Sequence, residues 1–107
     1  MASYPAARPK EGISEKDFQK KVIKLAEGHN WFWCHCPSVF SSGKWRVPLA
    51  GSPGFPDLVL ARDGLIVLVE LKSDTGRLRP GQAEWISAAN GKIWRPRDWE
   101  EIVEFLQ

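Results

Sequence analysis

Asp57, Glu70 and Lys72 are the residues of this 107-residue chain whose types and spacing invite a chemical reading. Between the two acids lie two apolar runs, LVLA and LIVLV, separated by Arg62, Asp63 and Gly64. Asp-Gly between apolar runs is the strongest short-range signal for a two-residue hairpin turn. With that turn, Arg62 faces Leu65, and the same register sets Asp57 opposite Glu70. Their Cβ atoms then stand about 4.5–5.5 Å apart on one face of the sheet. Lys72 points to that face about 6.6 Å further along. Leu71 points the other way, but its carbonyl stays near the pair. A β-bulge in either strand would displace this register by one residue.

Like charges held face to face are unfavourable unless a cation lies between them. Two carboxylates and a carbonyl are hard oxygen donors suited to Mg²⁺, which keeps several waters and accepts a substrate phosphate. A neighbouring lysine can neutralise developing charge, or act as a base when a cation depresses its pKa. The set fits metal-assisted hydrolysis of a phosphodiester. The plain alternative is an acid that ends a loop after Pro56, and a solvated Glu–Lys pair on a strand. Against it stand the flanking runs, apolar enough to be strands covered on both faces.

The elements that must hold these residues are legible from caps, periodicity and breakers. Residues 1–12, with Pro5, Pro9 and Gly12, read as a flexible arm, and residues 13–107 as a single domain. Ser14 starts a helix with Asp17 three residues on. Phe18, Val22, Leu25 and Ala26 form its apolar stripe, and Gly28 is its expected stop. Trp31 to Cys36 reads as a strand. Residues 37–56, dense in Pro and Gly, read as one long loop carrying Lys44 and Arg46 but no acid. After the hairpin strands, Asp57–Arg62 and Leu65–Lys72, residues 73–79 form a basic loop. Pro80 is expected to open a helix at its first position, with Gly91 ending it after Asn90. Lys92 to Arg95 is a short strand. Asp98, Glu100 and Glu101 fall in the first turn of a final helix, where the dipole favours acids. The order is α-β-β-β-α-β-α, an α/β domain.

Composition excludes several classes. At 43% apolar and 26% charged the chain has the make-up of a folded, soluble protein rather than a disordered one. Its longest unbroken apolar run, Leu65 to Val69, is far too short to span a bilayer. The first twenty residues hold no apolar stretch, so no signal peptide is read there. Two cysteines, Cys34 and Cys36, make no disulfide framework, and a cytoplasmic setting is expected. A closed zinc site would need both cysteines and both histidines to converge, so the cysteines are assigned to packing. Trp85, Trp94 and Trp99 are assigned to the core, and Trp31, Trp33 and Trp45 are expected to include an exposed member. The net charge of +2 excludes a polycation. All 15 bases and nine of the 13 acids lie in residues 1–97, a surplus of six; residues 98–107 carry the other four acids. A basic body with an acidic terminal helix suits a polyanionic partner.

Gly54-Phe55-Pro56-Asp57, a hairpin, then Glu70-Leu71-Lys72 resembles the PD-(D/E)XK nuclease signature. The ordered blocks SEKDFQ, His35 with Ser38, GFPDLVL, VELKSDTGRL, Gln82 with Trp85, and WRPRDWEEI are similar to those of the stand-alone VRR-NUC branch of phages and bacteria. The likeness runs from about Ser14 to Leu106. It implies a restriction-endonuclease-like core, a central mixed sheet flanked by helices. It also implies a Mg²⁺- or Mn²⁺-dependent endonuclease acting on branched DNA such as a Holliday junction. Asp57 and Glu70 match the metal-binding acids, with the Leu71 carbonyl as a further ligand. Lys72 matches the lysine that positions or activates the attacking water. Glu15 matches an acid on the first helix, in or near the shell of groups around the metal. Gln82 matches a glutamine that orients water or substrate, and lies in a first helical turn, where free N–H groups favour phosphate. A short run between Trp85 and Trp94 departs from the family pattern and bears on the sheet edge or a dimer contact.

Lys44, Arg46, Arg77 and Arg79 flank the acidic end of the hairpin and are candidates for contact with the phosphates of branched or double-stranded DNA. His35 and Ser38 are further candidates, a satisfied strand histidine being the other reading of His35. One small domain cannot cut two strands symmetrically, so a two-fold homodimer is expected. The rival readings are a flap, nicking or restriction-type nuclease, and a DNA-binding module that does not cut.

Overall fold

Ser14 caps the first helix by accepting the Asp17 N–H at 3.1 Å, which leaves Phe18, Val22 and Ala26 on its buried face. The computed structural model describes residues 6–37, 39–46 and 49–107, with the side chains of 39–41, 45 and 46 outside the description. Helix α1 spans Glu15–Gly28. Gly28 is its last residue rather than its stop: His29 is the C-cap, and Asn30 takes the left-handed turn at φ 68°. The short amide of Asn tolerates that region better than most side chains.

Strand β1 (Phe32–His35) is followed by two strands in the segment expected to be a continuous loop, β2 (Val39–Ser41) and β3 (Lys44–Arg46). They pair antiparallel around Ser42-Gly43, both at positive φ, a two-residue turn like the one between the main strands. Each is three residues long, too short for alternation to register. The main hairpin is β4 (Leu58–Arg62) and β5 (Leu65–Leu71), turning at Asp63 (φ 52°) and Gly64 (φ 82°). Its register is the expected one, Arg62 opposite Leu65 and Leu58 opposite Val69, with no bulge.

Helix α2 (Gln82–Ala89) begins two residues later than expected. Gly81, in the left-handed region, is its N-cap, and Pro80 belongs to the preceding turn. Strand β6 (Lys92–Trp94) follows, then a 3-10 turn over Pro96–Asp98 and helix α3 (Trp99–Leu106). The architecture is mixed α/β, with three α-helices among the described residues and a four-stranded mixed sheet in the order β1-β4-β5-β6. Only the β5–β6 pair is parallel.

One face of this sheet makes the core. Leu58, Leu60, Val67, Val69 and Leu71 pack with Phe18, Val22 and Ala26 of α1 and with Trp99, Ile102 and Leu106 of α3. Trp31 and Trp94 are buried there as well, whereas Trp85 is only half-buried and Trp33 is exposed. The other face is ruled into rows by the two registers: Phe32, Ala61 and Ile66; then Cys34, Val59 and Leu68. It is not covered throughout, since Phe32 is 81% and Ile66 70% exposed. In the described part of the expected arm, the Trp99 indole donates to the Ala6 carbonyl, and Arg8 pairs with Glu100 at 3.2 Å.

Candidate active site

The third row of the open face belongs to Cys36, Asp57 and Glu70. The Cys36 N–H donates to the Asp57 carbonyl at 2.9 Å, continuing the β1–β4 ladder one step past its last strand pair. Asp57 sits at the entry to β4, and its Oδ2 accepts the Leu71 N–H at 3.2 Å. That bond holds the carboxylate against β5 beside Glu70. The loop before Asp57 ends in buried Pro56, whose ring favours an extended residue before it and delivers the chain straight into the strand.

Glu70 is fully buried, and Lys72 is 4% exposed. Alternation along β5 sends both to the same side, and the Lys72 Nζ lies 3.6 Å from the Glu70 Oε2. The same oxygen accepts a hydrogen bond from Gln82 Nε2 at 2.8 Å. Gln82 is itself buried in the first turn of α2, and its Oε1 accepts the Arg79 N–H at 2.6 Å. Glu70 Oε1 has no partner among the described residues. The Asp57 carboxyl acts on Glu70 at hydrogen-bond range, an acceptor beside an acceptor, so a shared proton or a cation is what satisfies the pair.

The electrostatics follow from this packing. Burial, and then the charge and hydrogen bond of Asp57, push the Glu70 carboxyl up to about 8; Lys72 offsets part of that rise. The Cys36 thiol is also held above its ordinary value, by burial first, then by the charge and hydrogen bond of Cys34, then by the charge of Asp57.

The other expected residues are placed less centrally. Glu15 is exposed in the first turn of α1, and no hydrogen bond or ion pair joins it to the acid pair. His35 stands opposite Leu58, so it points to the face away from Asp57 and Glu70. Lys44, Arg77 and Arg79 are exposed, the last two on the loop that leads from Lys72 to Gln82. Ser38 and the Arg46 side chain lie outside the described residues.

Two arginines outside the expected set shape that loop. The Arg95 guanidinium donates to the carbonyls of Ser73 and Gly76 at 2.6 and 2.8 Å. The Arg97 side chain donates to the Asp74 carbonyl at 3.1 Å, and its N–H to Asp74 Oδ1 at 3.0 Å. Neither was separable in the sequence from an ordinary surface cation. Cys36 was likewise hidden, because no short turn joins β1 to β4 and the register between them cannot be counted.

Among the described residues, no three His, Cys, Asp or Glu side chains form a ready-made metal cage. The donor set is two facing carboxylates, one with an unpartnered buried oxygen, with the Leu71 backbone alongside. Such a set fits a hard divalent cation that completes its shell with water and substrate oxygens. No family model matches the chain, and no curated protein matches it.

Proposed function

We propose that this chain is a divalent-metal-dependent endonuclease that hydrolyses phosphodiester bonds in branched DNA. In this reading it is a PD-(D/E)XK enzyme similar to the stand-alone VRR-NUC nucleases, and acts as a Holliday-junction resolvase. The observation that carries the reading is Glu70: a fully buried carboxylate facing Asp57, with Lys72 at 3.6 Å and one oxygen unpartnered. A structural ion pair has no use for a second acid pressed against it, and burying like charges is costly. A site awaiting a cation does.

Asp57 and Glu70, with the Leu71 carbonyl, would hold Mg²⁺ or Mn²⁺. Once bound, the metal lowers the pKa of a water and stabilises charge on the scissile phosphate. Gln82 fixes the Glu70 carboxylate from behind. Lys72 orients the attacking water and takes up or returns its proton. The water oxygen bonds to phosphorus, the P–O3′ bond breaks, and the 3′ oxygen leaves as a hydroxyl. Arg77 and Arg79, on the loop between Lys72 and Gln82, meet the backbone phosphates, and exposed Lys44 is a further phosphate contact. Glu15 is a more remote contributor. A two-fold homodimer supplies the two sites that symmetric cutting needs. No helix among the described residues is long and apolar enough to cross a membrane.

The test uses a labelled four-way junction, a flap and a plain duplex, each with Mg²⁺ and with EDTA, for wild type and Lys72→Ala. Paired symmetric nicks on the junction, lost in EDTA and in the variant, are expected. Equal cleavage by Lys72→Ala, or none by wild type with any divalent metal, sinks the catalytic reading. Cutting confined to the flap redirects it to flap processing. Binding without cleavage leaves a recruitment module.

A further inference from the structure

Two glycines from distant segments cross beside the acid pair. Gly54 lies three residues before Asp57, and Gly81 immediately before Gln82. Both sit in the left-handed region, at φ 94° and 89°. A Cβ at Gly54 would overlap the Gly81 carbonyl carbon and lie 2.6 Å from both the Gln82 nitrogen and the Gly81 oxygen. A Cβ at Gly81 would overlap the Pro53 carbonyl oxygen and lie 2.9 Å from its carbon. The obstacle in each case is backbone, so no rotamer change relieves it. The crossing is fastened on its outer side: the Trp85 indole donates to the Ser52 carbonyl at 3.0 Å, and the Phe55 ring meets the Trp85 ring edge-on at 5.1 Å.

The segments that cross here hold the two sides of the site. One continues into Asp57, whose carboxylate takes the Leu71 N–H. The other continues into Gln82, whose amide holds Glu70. We propose that the Gly54–Gly81 crossing is a positioning element: it sets the separation of Asp57 from the Gln82-held Glu70 carboxylate and so matches the site to a small divalent ion. The inference rests on the metal-centre reading above. A Cβ at either position must push the two backbones apart, and that displacement passes to Asp57 or Gln82 within a few bonds. Mg²⁺ demands near-ideal octahedral geometry at about 2.0–2.1 Å, whereas Ca²⁺ accepts irregular shells at about 2.3–2.6 Å. Widening the site therefore penalises Mg²⁺ and Mn²⁺ more than Ca²⁺.

The test measures Mn²⁺ binding to the full chain by the loss of the free-ion electron paramagnetic resonance signal, with Mg²⁺ and Ca²⁺ as competitors. Gly54→Ala, Gly81→Ala and Gly81→Asn are compared with Gly64→Ala and Gly64→Asn. Gly64 has a similar φ of 82° but nothing within 4 Å of its Cβ position, so it carries the backbone strain without the crossing. Asn tolerates the left-handed region, which isolates the Cβ clash. The crossing variants are expected to bind Mn²⁺ and Mg²⁺ about 10–100-fold more weakly, as happens when groups that orient metal ligands are lost. Their Ca²⁺ affinity falls less, and the Gly64 variants stay close to wild type. Trp85→Phe, which removes the Ser52 bond and keeps both glycines, covers the case in which the crossing variants do not fold, and is expected to shift the Mg²⁺/Ca²⁺ ratio in the same direction. Folded crossing variants with wild-type affinity and ion preference overturn the proposal, as does an unchanged ratio in Trp85→Phe. A wild type that binds no Mn²⁺ overturns the metal-centre reading, and the positioning role falls with it.

Discussion

Gln82 reaches from the first turn of α2 to donate a 2.8 Å hydrogen bond to Oε2 of Glu70, the most deeply buried acid of the chain. The same side chain takes the Arg79 N–H on its oxygen, so one amide ties the basic loop to the acid pair. Gln82→Ala would leave a buried carboxylate oxygen with Lys72 as its only partner and free the Arg79 backbone. A loss of about 1–3 kcal/mol in urea unfolding is expected, together with impaired junction cleavage. Activity that survives intact in a destabilised Gln82→Ala would confine the residue to a packing role.

Stability of the metal-free protein should fall as pH rises. Glu70 is raised to about 8 from an ordinary 4.5, so between those values the folded state holds a proton that the unfolded state has lost. The contribution is fully present below about pH 4.5, shrinks through neutrality and is gone above about pH 8. Glu70→Gln keeps the shape without the titration, so its urea midpoint should be flatter across this window and higher than wild type at its upper end. Equal pH slopes for the two proteins would argue against the raised value.

In the proposed reading a divalent metal takes the place of that proton. Adding Mg²⁺ or Mn²⁺ at pH 7 is expected to raise the melting temperature in a concentration-dependent way and to release protons to the buffer. Calorimetric titration in buffers of different ionisation enthalpy measures the release. Asp57→Asn and Glu70→Gln should each abolish the thermal shift. A shift retained in Asp57→Asn would place the cation elsewhere.

Arg95 ties down the loop that presents Arg77 and Arg79. Arg95→Ala removes two charge-assisted bonds, to the carbonyls of Ser73 and Gly76. It should cost about 2 kcal/mol of stability and weaken DNA binding. Both bonds come from Nη1, at the end of a longer and planar side chain, so the shorter Arg95→Lys should restore only part of either. Full rescue by lysine, measured by urea unfolding and by fluorescence anisotropy on a four-way junction, would reduce the contact to charge alone.

Arg77→Ala and Arg79→Ala act differently. If these side chains meet phosphates, each should weaken binding about equally on all DNA sequences and reduce the salt slope of log K by roughly one. An unchanged slope would take them off the DNA path.

The hairpin that carries the site was determined by local sequence. Asp63-Gly64 accepts positive φ at both positions, a two-residue turn permits one register, and that register sets Asp57 against Glu70 and Lys72 on the same face. The Ser14 cap and the stripe along α1 were legible for the same reason, since caps and periodicity are short-range. What lay beyond reach was set by contacts between distant segments. The β2–β3 pair offered too few residues for alternation to appear. Cys36 beside Asp57 depends on a β1–β4 register with no short turn to count from. The bare end of the sheet, with Phe32 and Ile66 exposed, depends on which elements pack over that face, and periodicity along a strand carries no such information. Above all, the sequence put two carboxylates side by side, but only the tertiary structure determined that Glu70 loses all contact with water. Gln82, delivered by α2, and Lys72 lie against its carboxylate there, and the raised pKa follows first from the burial and then from Asp57.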